Sequence, residues 1–282
     1  MIIDWLITPL SYGFMQRGLI ASMLVGILCA VVGCYIVLRS MAFLGDALAH
    51  GILPGVAVAY LLQINLTLGA LAAGVAVALG IAFLSRQGTI KEDTAIGILF
   101  AASLSLGVLL ISTIRTYAVD LTHILFGNVL GVSPADLWLM GGLVCVVLTT
   151  IILLYKEFLV ISFDPVHAAA LRLPANLLRH LMLVLLALTV VVSLQTVGVG
   201  LVAAMLVTPG ATAYLLTRRL SEMMILAAAL GAFSGIVGLY LSFYFNVASG
   251  AAVVLTATAL FLLTFLLAPR KGLLWQRRRP HS

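Results

Sequence analysis

The chain has 282 residues, a formal net charge of +6, 63% hydrophobic and only 9% charged residues, and a mean hydropathy of +1.25. That composition excludes a water-soluble fold of this length and describes an all-α polytopic membrane protein. The positive surplus implies no nucleic-acid partner, since membrane topology and anionic lipid headgroups account for it.

In chain order, residues 1–13 open with "MIIDWLITPLSYG", which carries Asp4 and Pro9 and lacks a basic start followed by a small-residue cleavage site. It reads as an outer interfacial lead-in rather than a cleaved signal. Apolar runs follow at about 14–38, 45–63, 66–84, 95–113, 137–155, 180–197, 199–216, 223–245 and 249–268, each long enough to cross a bilayer core. The division at "SLQTVGVG", residues 193–200, rests on Gln195 and two glycines; a single long helix there is the alternative, giving eight spans instead of nine. With nine, all of the fifteen basic residues except Arg17 and Arg115 fall on one side, which the positive-inside rule makes cytoplasmic. The expectation is one transmembrane domain over 1–282 in a bacterial cytoplasmic (inner) membrane, N-terminus outside, with a basic cytoplasmic tail at 269–282.

Two connections are long. Residues 114–136 fall outside and carry Asp120 and His123, which at i, i+3 spacing could meet an incoming ion but read more readily as a solvated loop face; residues 156–178 fall inside. In "SFDPVHAAALRLPAN" Asp164 can cap a helix that Pro165 begins and Pro174 stops. A short cytoplasmic helix of this kind, within 163–174, suits either protein docking or a plain amphipathic connector. Glu92 and Asp93 read as an N-cap and first-turn acid of a helix starting near Thr94. Cys29, Cys34 and Cys145 lack any CxxC pairing and read as small apolar packing residues. His167 and His180 read as interface or connector residues, Thr208 and Pro209 as a bend, and Gln195 as a turn cap or path-lining group.

The pair that asks for an explanation is Asp46 and His50 in "SMAFLGDALAHGILPG". Four residues apart, they share one helix face at about 5–6 Å. Counted up a continuous helix from Arg39, they would lie roughly 10 and 16 Å deep, near mid-bilayer, where ionisable groups face a cavity, a partner or a pathway. Carboxylate oxygen with imidazole nitrogen suits Mn²⁺, Zn²⁺ or Fe²⁺. Pro54 has no N–H for the carbonyl of His50, so the helix should bend there, with Gly51 and Gly55 easing the distortion. Two facing copies of the chain would supply four donors. The competing reading is that Asp46 and His50 bond each other and position the kink.

There is no GxxxxGK[ST], so the chain cannot itself cradle ATP phosphates, and no HExxH, aspartyl dyad or Ser/His/Asp arrangement is legible. Transport rather than enzyme chemistry is the class left, with a proton-coupled secondary carrier and a structural subunit of a membrane complex as the other readings.

"GCYIVLRSMAFLGDALAHGILPGVAVAYLL" resembles the signature of the permeases of bacterial manganese/zinc/iron ABC importers. "IKEDTAIGILFAASLSLGVLLIS", "SFDPVHAAALRLPANLL" and "LLALTVVVSLQTVGVGLVAAMLVTPGATAYLLT" extend the likeness over roughly residues 12–268. The resemblance implies a type II importer-like permease without a resident cofactor. It would pair with a second copy or a paralogue, with two cytoplasmic ATPase subunits and with a metal-binding solute-binding protein outside. It carries the family's metal-coordinating pair onto Asp46 and His50, its "LPG" onto Pro54 and Gly55, and its ATPase-coupling helix onto the segment holding Asp164, Pro165, His167 and Arg172. His167 and Arg172 stand where the family often has an acid and a glycine.

Overall fold

The computed structural model describes residues 7–85, 90–113, 129–163, 168 and 170–268. Its main elements are α1 (Gly13–Leu38), α2 (Phe43–Gly51), α3 (Leu53–Leu61), α4 (Leu66–Leu84), α5 (Glu92–Ser112), α6 (Pro134–Leu153), α7 (Tyr155–Phe163), α8 (Ala175–Val197), α9 (Val199–Leu216), α10 (Leu220–Phe245) and α11 (Ser249–Leu267). A short 3-10 turn, Val129–Gly131, precedes α6. No strand occurs among the described residues.

Local chemistry sets the ends. Asn65 caps α4 by accepting from the Thr67 N–H at 2.8 Å. Before α6, the Ser133 Oγ accepts from the Asp136 N–H at 3.2 Å while the Asp136 carboxylate accepts from the Ser133 N–H at 3.1 Å. This reciprocal cap, with Pro134 at the first helical position, starts α6 sharply. Asn246 ends α10 in the left-handed region (φ 52°, ψ 41°), which asparagine tolerates better than most residues.

Among the described residues, eight helices, taking Phe43–Leu61 as one, are long and apolar enough to cross a membrane; α9, apolar over Leu201–Leu216, is a shorter ninth. The anticipated runs agree with the helices to within a few residues. At "SLQTVGVG" the chain forms two helices rather than one, separated by Gly198 at φ 83°, ψ 164°, a combination open almost only to glycine.

Three expectations need correction. Glu92 and Asp93 lie inside α5, which starts at Glu92 with Lys91 as N-cap, so neither caps it. The connection anticipated over 156–178 begins with a further helix, α7. Cys29 and Cys34 are buried, but Cys145 is exposed, and none of the three is in a disulfide. Asp120, His123 and the basic tail 269–282 lie outside the described residues.

The described contacts form two compact units. One comprises residues up to 37, 128–144 and from 204 onward, so it holds α1, most of α9, α10 and α11. Within it, Gly26 of α1 and Gly231 of α10 meet backbone to backbone: a methyl group on either would strike the other's carbonyl. The other comprises 38–127 and 145–203, with α2 to α5, α7 and α8. Its α3 and α4 cross just as closely at Gly55 and Gly69. Close backbone approach replaces the hydrophobic drive that lipid does not supply between helices.

Candidate functional site

The second unit holds both residues that the sequence singled out. The helical run 43–61 is interrupted at Ile52, and Pro54 sits in the first turn of α3, where its missing N–H is least expensive. His50 and this break fall near the middle of the run. Asp46 does not. Ser40 (φ 56°) turns the chain between α1 and α2, so the continuous helix assumed from Arg39 does not exist. Asp46 stands in the first turn of α2, about 5 Å from its start, where the positive end of the helix dipole stabilises a carboxylate.

His50 Nε2 lies 3.5 Å from Asp46 Oδ1, and the two side chains are 26% and 44% exposed. That separation lies within ion-pair range but is longer than a good hydrogen bond, so the two residues face each other without closing a hydrogen bond. His50 Nδ1 is buried and has no hydrogen-bond partner among the described residues. The ring is held by an edge-on contact with Phe100 of α5, centroid to centroid 5.7 Å.

Asp46 opens onto a cleft of about 200 Å³ lined by Phe43, Asp46 and Ala47 of α2 and by Asp93, Ile96, Gly97 and Phe100 of α5. The α5 residues recur at i, i+3, i+4 and i+7, one helix face, and the α2 series with His50 does the same. Asp93 therefore faces the same cleft as Asp46, which the sequence reading missed. The periodicity was legible; that the two faces oppose each other was not.

At the Arg39 end of this unit, Glu92 accepts from Arg39 Nη2 at 3.4 Å and from Arg179 Nε at 3.0 Å. Arg179 Nη2 also donates to Ser85 Oγ at 2.6 Å, and that hydroxyl donates to the Ile81 carbonyl. Burial pulls the Arg39 guanidinium below its ordinary pKa; Glu92 opposes the shift and Arg179 adds to it. The guanidinium stays charged nonetheless.

Of the anticipated coupling residues, Asp164, Pro165 and His167 lie outside the described residues. Arg172 is described, at φ 55°, and the following Leu173 N–H reaches the Ala168 carbonyl at 3.1 Å, which closes a turn before α8. Gly51 packs against Val77, and Gly55 against Gly69. No group of three or more His, Cys, Asp or Glu side chains able to hold a metal occurs among the described residues.

A family model described as "ABC 3 transport family" matches residues 11–268. The manganese transport system membrane protein MntC of Listeria monocytogenes is 50% identical over 270 residues, 96% of each chain. The manganese import system permease protein ScaB of Streptococcus gordonii is 42% identical, over 93% of this chain and 94% of that one. Among solved structures, PsaBC from Streptococcus pneumoniae in complex with a Fab superposes with a TM-score of 0.87 at 39% identity, over 99% of this chain and 100% of the other.

Proposed function

We propose, from the premise that the chain belongs to the ABC 3 transport family, that it is the permease of an ATP-driven importer of divalent transition-metal ions, with manganese as its first substrate. One relative is named a manganese transport system membrane protein and another a manganese import system permease protein, which favours this reading over a proton-coupled carrier or a packing subunit. Asp46 and His50 would hold the ion in transit. The observation that carries this is their mutual non-satisfaction: at 3.5 Å, with an unpartnered imidazole nitrogen, the pair is poised for a third party rather than closed on itself.

One carboxylate and one imidazole suit Mn²⁺, Fe²⁺ or Zn²⁺ but do not complete a shell. A second copy or a paralogue facing this chain across a two-fold axis would add the same two groups and bring two carboxylates against a 2+ ion. The remaining machinery would be cytoplasmic ATPase subunits docking near Asp164, Pro165, His167 and Arg172, and a solute-binding protein delivering ions from outside. Membrane lipid surrounds the assembly, and ATP hydrolysis belongs to the partner.

The test is uptake of labelled Mn²⁺ and Zn²⁺ into proteoliposomes containing the chain, its ATPase and its binding protein. At equal folded protein, Asp46→Asn and His50→Ala are each expected to lower ATP-dependent uptake about tenfold or more, on the scale of losing a supporting residue from a metal site. Unchanged uptake in both would move the ion path elsewhere.

A further inference from the structure

We infer that Glu92 is a positioning residue for the cleft: its ion pairs to Arg39 and Arg179 fix the first turn of α5 and thereby set the gap between the Asp46 face of α2 and the Phe100 face of α5. This rests on the reading of Asp46 and His50 as the ion site. Three segments far apart in sequence converge on this one carboxylate, and both its oxygens are used, Oε2 by Arg39 and Oε1 by Arg179. Arg39 stands four residues before Phe43, the start of one cleft wall, and Glu92 is followed directly by Asp93, the start of the other. Arg179 adds the hydroxyl of Ser85, which follows α4, so α4, α5, α8 and the turn into α2 share one knot.

Packing shows why the knot controls the gap. Further along α5, Gly107 is pressed against Leu53 and Pro54, so that end of the cleft wall is fixed by close contact. Between the two ends, a methyl group on Gly97 would meet nothing within 4 Å. The walls next meet at the ring contact of Phe100 with His50, so α5 is held by packing from Phe100 to Gly107 and, at its other end, by the ion pairs of Glu92. Removing the carboxylate leaves two partly buried guanidiniums facing each other without an anion, which drives the Glu92 end apart.

The experiment reads the gap directly. A cysteine is placed at Gly97 in a Cys145→Ser background, Cys29 and Cys34 being buried, and the assembled transporter is treated with a small thiol reagent. Modification is expected to run on the order of tenfold faster with Glu92→Gln, the scale of a lost charge-assisted hydrogen bond, and to stay within about twofold with Glu92→Asp, which keeps the charge. The apparent KM for Mn²⁺ should rise in Glu92→Gln and recover in Glu92→Asp. Equal modification rates in all three forms overturn the inference, as does lost uptake with unchanged modification. If Glu92→Gln does not assemble, Arg179→Lys is scored by the same criteria, because lysine keeps the charge and loses the fork that reaches both Glu92 and Ser85. Failure of Asp46→Asn to lower uptake would remove the ion site while leaving the modification result standing.

Discussion

Asp46 is a carboxylate in a membrane helix at a position where its charge is least unfavourable. The first turn of α2 offers the dipole's positive end, and the cleft keeps the carboxylate partly solvated. His50 is placed differently: it lies in the last turn of α2, its Nδ1 is buried and unpartnered among the described residues, and its ring packs against Phe100. The imidazole plane is therefore set by an aromatic contact worth about 0.5–1.5 kcal/mol. Phe100→Leu keeps most of the bulk and loses the edge. It is expected to raise the apparent KM for Mn²⁺ uptake by roughly twofold to tenfold, the same energy expressed as affinity, with a smaller effect on the maximal rate. Uptake measured against Mn²⁺ concentration decides it; a KM equal to wild type would mean that the ring is oriented by other neighbours.

At the scale of elements, the candidate site depends on α2 and α3 being two short helices rather than one. Pro54 imposes the break, and α3 then has to lie close enough to α4 for the pair to pack. The crossing at Gly55 and Gly69 makes that approach: a methyl group on Gly55 would run into the Gly69 carbonyl and the Ala73 side chain. Both obstacles are rigid, so relief requires the helices to separate. Gly55→Ala is expected to destabilise the protein by about 1–3 kcal/mol, the usual penalty of overpacking, and to lower its unfolding temperature in detergent. Gly141→Ala, at a helix position where the added carbon meets nothing within 4 Å, should be neutral or slightly stabilising. Equal melting temperatures for the two variants would show that the α3–α4 crossing yields without strain.

For the whole molecule, most of the helical layout was legible because apolar runs of about 20 residues have few alternatives in a bilayer. The candidate pair was legible too, since Asp46 and His50 are close in sequence and unusual in such surroundings. What could not be read were contacts between distant segments. Glu92 looked like a helix-start acid because nothing in its neighbourhood names Arg39 or Arg179, and Asp93 joined the cleft only once α5 was seen beside α2. The depth of Asp46 was misjudged because the turn at Ser40 carries no glycine or proline to announce it.

One layout question passes to experiment, and Gly198 frames it. If α8 and α9 each cross the membrane, seven crossings separate Ser11, before α1, from Ser221, at the start of α10, and the two positions face opposite sides. If α8 and α9 together cross once, six crossings separate them and both face the same side. Each serine is exposed. Single cysteines at these positions, in a Cys145→Ser background, can be treated on intact cells with a membrane-impermeant thiol reagent. The positive-inside distribution leads to labelling of Ser11→Cys and protection of Ser221→Cys, which sits beside Arg218 and Arg219. Labelling of both would make α8 and α9 a single interrupted crossing. The C-terminus would then lie outside, and the basic segments on either side of the break would have to be reassigned.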